Sequence, residues 1–201
     1  CVTSVKLNSP PLAMLVSLGA IKTKNYMPLY SLTESEIRNY CRKYIETLEI
    51  WLRNLINNLL TEQYGTKYFS QKNGDNYLIK QKITEKAQER IKKEPNRYNR
   101  LIDAILFDDL IKIICNPKLY QTFKQSLELA FPNGNAEART FLERLLDPRN
   151  RLSHANSISV RQAEQVICYV NDVIDSIKIF YIKKNMTKEY NVPKIIKAID
   201  S

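Results

Sequence analysis

The chain has 201 residues, a net charge of +10 and a pI near 9.4. That length suits one domain with a short appendage and can bury a core without metal or disulfide staples, while the charge favours a polyanionic partner: RNA, DNA or anionic lipid. No apolar run approaches the roughly 18 to 20 residues of a membrane span and no basic-then-apolar targeting segment opens the chain, so a cytoplasmic protein with no membrane partner is expected.

Residues 1–32 read as an N-terminal arm or the remnant of an upstream region, with Pro10, Pro11, Gly19 and Pro28 interrupting a short apolar run. Cys1 fits removal of an initiator Met, a cut within a longer chain, or an acylated lipoprotein start. From 33 to 184 apolar residues recur at helical spacing and glycine is scarce, which predicts one helical domain. Thr33 with Glu36 forms a capping box, and Ile37, Cys41, Leu48, Trp51, Leu52, Leu55 and Leu59 mark a helix to about 62, ended at Tyr64-Gly65. After a polar loop at Asn73-Gly74 a second helix is predicted over 76–93, stopped by Pro95. A third, over 98–115, is apolar nearly all round and belongs at the centre of the core. A shorter helix follows Asn116-Pro117 and runs to 131, Asn133-Gly134-Asn135 breaks it, and another covers 136–146. Asp147 then suits an N-cap and Pro148 the first position of a new helical turn, which places the following residues at a turn opening. A last helix begins at Ser157 or Ser159 and runs to about 184, roughly 38 Å at 1.5 Å per residue. Residues 185–201 form a basic tail. The fold class is all-α: an antiparallel up-and-down bundle of four main helices with short inserted helices.

The candidate chemistry lies in Arg149-Asn150-Arg151-Leu152-Ser153-His154, which holds the chain's one histidine. Cleaving RNA without a metal needs a base for the 2′-hydroxyl, an acid for the leaving 5′-oxygen and positive charge on the nonbridging oxygens. His154 suits the proton work, Arg149 the charge, and Asn150 the orientation of either, so these three are the catalytic candidates. Arg151 and Ser153 are candidates for holding the substrate. Residues five apart on a helix lie about 140° around its axis, which a long arginine can bridge. One histidine serves poorly as both base and acid at one site, whereas a symmetric dimer would bring two copies of Arg149 and His154 into one composite groove.

Outside the motif, Lys82, Lys86 and Arg90 share a helical face and could track an RNA backbone. With Glu85, Glu89 and Glu94 interleaved they serve equally well as a solvated face. Asp108 and Asp109 need partners in so apolar a helix and are candidates to orient His154 or Arg149. Tyr64, Tyr68, Phe69 and Tyr77 flank the polar loop, where covering the end of the bundle is favoured over stacking bases. Cys41, Cys115 and Cys168 are expected to be reduced, buried and structural. Widely spaced cysteines and a lone histidine give no metal-ligand pattern, and no glycine-rich phosphate loop, H-E-x-x-H or G-x-S-x-G occurs; no metal or other cofactor is expected.

The phrase RNRLSH, within LLDPRNRLSHANSISVRQAEQVICYVNDVIDSI, resembles the signature of HEPN domains: an Arg, four to six residues, then His, with a polar residue after the Arg. LIDAILFDDLIKII and WLRNLINNLLTEQYG are similar to the preceding helices of the HEPN branch found at the C-terminus of a eukaryotic transcript-surveillance endoribonuclease and in bacterial defence proteins. The likeness covers about residues 35 to 182. It implies a homodimeric, metal-independent endoribonuclease of a toxin or antiphage system, with Arg149 and His154 as the catalytic pair and Asn150 as the polar neighbour. RNA is the implied partner, with an antitoxin or an upstream regulatory domain as further ones. HEPN toxins silenced by a nucleotidyltransferase antitoxin carry Tyr two residues after the His; this chain has Asn156 there, so it departs from that mode of control. A catalytically silent HEPN module for dimerisation and RNA or nucleotide binding is the alternative, and a helical adaptor without nucleic acid a third.

Overall fold

A computed structural model of the protein describes residues 29–186. The proposed arm up to residue 28 and the tail from residue 187 lie outside the described residues. Among the described residues the structure is mostly helical, with one hairpin of two-residue strands: α1 (Glu34–Tyr64), β1 (Lys72–Asn73), β2 (Asn76–Tyr77), α2 (Gln81–Lys93), α3 (Phe107–Ile114), α4 (Tyr120–Leu127), α5 (Asn135–Arg144), α6 (Leu146–Ser153) and α7 (Val160–Lys183). Short 3-10 turns occupy Leu29–Ser31, Tyr68–Ser70 and Leu101–Ala104.

Local capping sets the ends of both long helices. The Thr33 hydroxyl accepts the Glu36 N–H and the Glu36 carboxylate accepts the Thr33 N–H, so two N–H groups without intrahelical acceptors are satisfied at the start of α1. Ser159 and Gln162 do the same for α7. Gly65, at φ 79°, ends α1 in a backbone conformation that a side chain would strain. The two long helices share the most extensive interface in the fold. Ile37, Cys41, Leu48, Leu52 and Leu55 of α1 and Ala163, Val166, Val170 and Ile177 of α7 lie in the core. Each large apolar side chain buried in this way contributes about 1.5–3 kcal/mol. Trp51 stacks on Tyr181 with ring centroids 6.1 Å apart, and Asn58 donates to the Tyr181 hydroxyl at 3.3 Å.

Three elements differ from the sequence expectation. Residues 76–77 do not begin a helix: Asn73 pairs with Asn76 and Lys72 with Tyr77 across Gly74-Asp75, with Gly74 at φ 64° supplying the turn. The expected central helix over 98–115 is divided, because Ile105 and Leu106 are extended between the 3-10 turn and α3. Its apolar residues are buried on both sides of the break, so their periodicity carried no sign of it. Two arginines from other helices take the carbonyls that the break frees: Arg90 of α2 donates to Ala104 at 2.9 Å and Arg53 of α1 to Ile105 at 3.1 Å. The helix expected to reach 131 stops at Leu127.

The junction before the motif also differs. Leu145, in helical conformation, flanks both α5 and α6, and Asp147 is the second residue of α6 rather than its cap. Pro148 is third, within the first turn, where its missing N–H leaves no hydrogen bond unmade. The Arg-to-His segment therefore fills the second half of α6, and His154 terminates the helix instead of following a turn opening.

Candidate active site

α6 runs against α1, and three contacts in register fix the pairing. The Arg149 guanidinium meets Glu49 at 3.2 Å, Arg42 donates to the Leu152 carbonyl at 3.2 Å, and Arg38 donates to the Ala155 carbonyl. Two α1 arginines thus supply further donors and positive charge at the negative, C-terminal end of α6. Arg38, Arg42, Glu46, Glu49 and Arg53 fall within about 80° of one another at 100° per residue, so α1 carries a charged stripe beside its apolar face. None of the five was singled out from the sequence. The signal was present in that spacing, but nothing in the sequence shows that α6 lies against it.

Glu49 is the hub. One of its oxygens takes Arg149 Nε at 3.2 Å and the other takes Arg53 Nη2 at 2.7 Å, with the Glu49 side chain only 13 % exposed. Since Arg53 also holds the Ile105 carbonyl, a single carboxylate ties α1 to α6 and to the break before α3. Arg149 faces two cavities. The larger, about 570 Å³, lies between α1, the chain from Arg97 to Leu106, and α6; the smaller, about 420 Å³, is walled by Phe107, Asp108, Leu146 and Asn150.

His154 is exposed at the end of α6, and its position is over-determined. Its N–H reaches the Asn150 and Arg151 carbonyls, Ala155 turns to φ 55°, and the Asn156 N–H returns to the Arg151 carbonyl at 2.9 Å, forming a Schellman-type stop. An alanine in this left-handed region is strained, and the strain falls beside the candidate imidazole. Ser153 lines the larger cavity while its hydroxyl donates to the Arg149 carbonyl at 2.9 Å. Asn150 lines the smaller cavity and receives a long 3.5 Å contact from Arg149. The structure thus brings Arg149 and Ser153 to one cavity, Arg149 and Asn150 to the other, and leaves His154 on the neighbouring surface.

Other candidates are engaged elsewhere. Arg151 donates to both oxygens of Asp147, which also accepts from Gln162 of α7, so its guanidinium braces the α6–α7 junction rather than either cavity. Asp108 and Asp109 do not hold His154 or Arg149: Lys112 of the same helix takes both, at 2.9 and 2.8 Å. Burial pushes the Asp108 carboxyl up, but the hydrogen bond and charge of Lys112 outweigh it and leave the group below its ordinary value. The two carboxylates raise Lys112 in return. Asp108 nevertheless lines the smaller cavity. Lys82 and Lys86 are exposed on α2, while Arg90 is half-buried and committed to the Ala104 carbonyl. Tyr68 is buried with its hydroxyl on Asn57, whereas Tyr77 is exposed beneath Lys72.

Cys41 and Cys115 are buried, and burial pushes their thiols up to about 12 and about 11. Cys168 was expected to be buried with them but is exposed, because it lies on the outer side of α7, away from the stripe of Val166, Val170 and Val173. Among the described residues no group of three or more His, Cys, Asp or Glu side chains could hold a metal ion, and no helix is long and apolar enough to cross a membrane. No protein-family model, curated protein or solved structure matches the chain.

Proposed function

We propose that the protein is an endoribonuclease of the HEPN type, a bundle of four main helices with short inserts that acts as a homodimer on single-stranded or looped RNA without a metal. The observation that carries this reading is the pairing, on one short helix, of an arginine facing two cavities with the chain's one histidine held at the helix end. In this reading His154 moves the proton of the 2′-hydroxyl or of the leaving 5′-oxygen, Arg149 stabilises charge on the nonbridging oxygens, and Asn150 orients them. The second copy of the motif supplies the other proton-transfer group. A toxin or antiphage role, under an antitoxin or an upstream regulatory domain, is the biological setting that the motif suggests.

One observation favours the second reading, a silent HEPN module that binds RNA or nucleotide without turnover. Arg149 shares the Glu49 carboxylate with Arg53, so part of its charge is already engaged and not free for a transition state. Incubation with labelled single-stranded RNA in excess EDTA separates the two. The nuclease reading expects fragments with 2′,3′-cyclic phosphate and 5′-hydroxyl ends from the wild-type protein, and none from folded His154→Ala or Arg149→Ala protein. Cleavage retained by either purified variant removes that residue from the chemistry. Binding without cleavage by the wild type supports the silent module.

A further inference from the structure

Three carboxylates line the larger cavity, and two are already engaged. Glu49 holds Arg53 and Arg149, and Asp103 holds Arg100 through both oxygens. Glu46 is exposed at the rim of this cavity, one turn of α1 from Arg42, and has no hydrogen-bond or ion-pair partner among the described residues. The neighbouring guanidiniums keep donors in reserve. Arg42 commits only Nη2, to the Leu152 carbonyl, Arg97 commits only Nη1, to Glu94, and Arg149 commits Nε to Glu49 and Nη1 to the long Asn150 contact, leaving Nη2. Tyr98 is a half-buried aromatic wall, with the Arg97 guanidinium 5.4 Å from its ring centroid.

A ligand that answers all of these groups needs negative oxygens for the spare N–H groups, a flat surface to stack on the Arg97 guanidinium that lies over Tyr98, and two adjacent neutral donors for the Glu46 carboxylate. Phosphate alone offers only the first. Adenine and cytosine present one exocyclic amine beside a ring acceptor, which would repel the second carboxylate oxygen, and uracil places its one N–H between two carbonyls. Guanine presents N1–H and N2–H side by side, a pair that one carboxylate accepts in parallel. At about 570 Å³ the cavity falls within the range of small-ligand sites.

We propose that this cavity is a guanine-nucleotide subsite, in which Glu46 reads the base edge and Arg42 and Arg149 take the phosphate of an unpaired guanosine in RNA. The RNA part rests on the endoribonuclease reading; the recognition of guanine does not.

The test uses the full chain and two fluorescent hexanucleotides with 2′-O-methyl riboses, one all adenosine and one with a single central guanosine, so that binding is read without cleavage. Fluorescence anisotropy is expected to favour the guanosine strand by about ten-fold or more, the range of one bidentate base contact, with Glu46→Gln removing that preference and changing all-adenosine affinity by less than about two-fold. Arg97→Ala, whose ion pair is exposed, is expected to weaken both strands alike. Equal affinities, no measurable binding of either strand, or a preference that survives Glu46→Gln overturns the proposal. Competition with GMP and AMP identifies the source. GMP that outcompetes AMP but binds more weakly than the guanosine strand assigns the site to RNA, and GMP that binds more tightly than the strand assigns it to free nucleotide; both support guanine reading, whereas equal competition by AMP contradicts it. Cleavage by the wild-type and His154→Ala proteins is scored separately, so loss of the nuclease reading and loss of this subsite are told apart.

Discussion

On one face of α1, Ile37, Cys41, Ile45, Leu48, Leu52, Leu55 and Leu59 are buried against the rest of the core. On the adjoining face Arg38, Arg42, Glu49 and Arg53 each find a partner on another element or on the same stripe, while Glu46 finds none. The apolar face is satisfied by any neighbour of matching shape, since the hydrophobic effect is non-directional. The half-buried charges of the second face, Arg38, Glu49 and Arg53, are satisfied only by particular groups at particular distances, because such a charge left unpaired is costly, whereas the exposed Glu46 is solvated. Apart from Ile45, which also lines the larger cavity, substitutions on the first face should act on stability alone, and those on the second on the cavity as well.

The largest effect is expected at Leu52, which is fully buried. Leu52→Ala should lower unfolding free energy by about 2–5 kcal/mol, measured by urea denaturation, and the surviving folded fraction should keep its preference among RNAs. A changed preference would break the division between the two faces. Glu49→Gln comes next, because it leaves two guanidiniums sharing a neutral acceptor; a loss of about 1.5–3 kcal/mol is expected. No loss in that denaturation curve would mean that the charged stripe is only a solvated surface. Ala155→Gly should act in the other direction, stabilising by about 1 kcal/mol as the strain at φ 55° is released; a Tm that falls instead would contradict the stop assigned to the end of α6.

The smallest effect belongs to a surface ion pair away from both faces. Asp108→Asn should cost about 0.2–1 kcal/mol at neutral pH, since the Asp108–Lys112 contact is largely exposed. The Asp108 carboxyl lies below its ordinary value when folded, so its contribution is present above the ordinary value of 3.8 and is lost as pH falls through the folded value. Wild type and variant should therefore begin to converge as pH falls below 3.8 and meet once it has passed the folded value. A difference that persists in acid would show that the aspartate acts through packing.

What could be read in advance followed the range of each interaction. The start of α1 at Thr33 with Glu36 was legible because a capping box spans three residues, and the start of α7 was narrowed to Ser157 or Ser159, of which the structure takes Ser159 with Gln162. The break at Ile105-Leu106 was not, because the groups that satisfy its carbonyls, Arg53 and Arg90, lie on other helices. The hairpin at 72–77 was missed because Asn73-Gly74 sits between polar residues, with no alternating apolar strands to mark it. Arg149 and His154 stood out as residue types in a spacing, yet Glu49, 100 positions from Arg149, carried no local sign.

The sequence by itself determined that the protein is helical, which face of α1 and of α7 is apolar, and which segment carries an arginine and the one histidine, because periodicity and capping act over a few residues. Only the tertiary structure decided that α6 lies against the charged stripe of α1, that Lys112 takes Asp108 and Asp109 away from the motif, that Cys168 faces outward and that Glu46 stands exposed and unpaired at the rim of a cavity. Those are outcomes of which charges meet once the apolar faces have closed, and long side chains choose their partners by distance in space, not by separation along the chain.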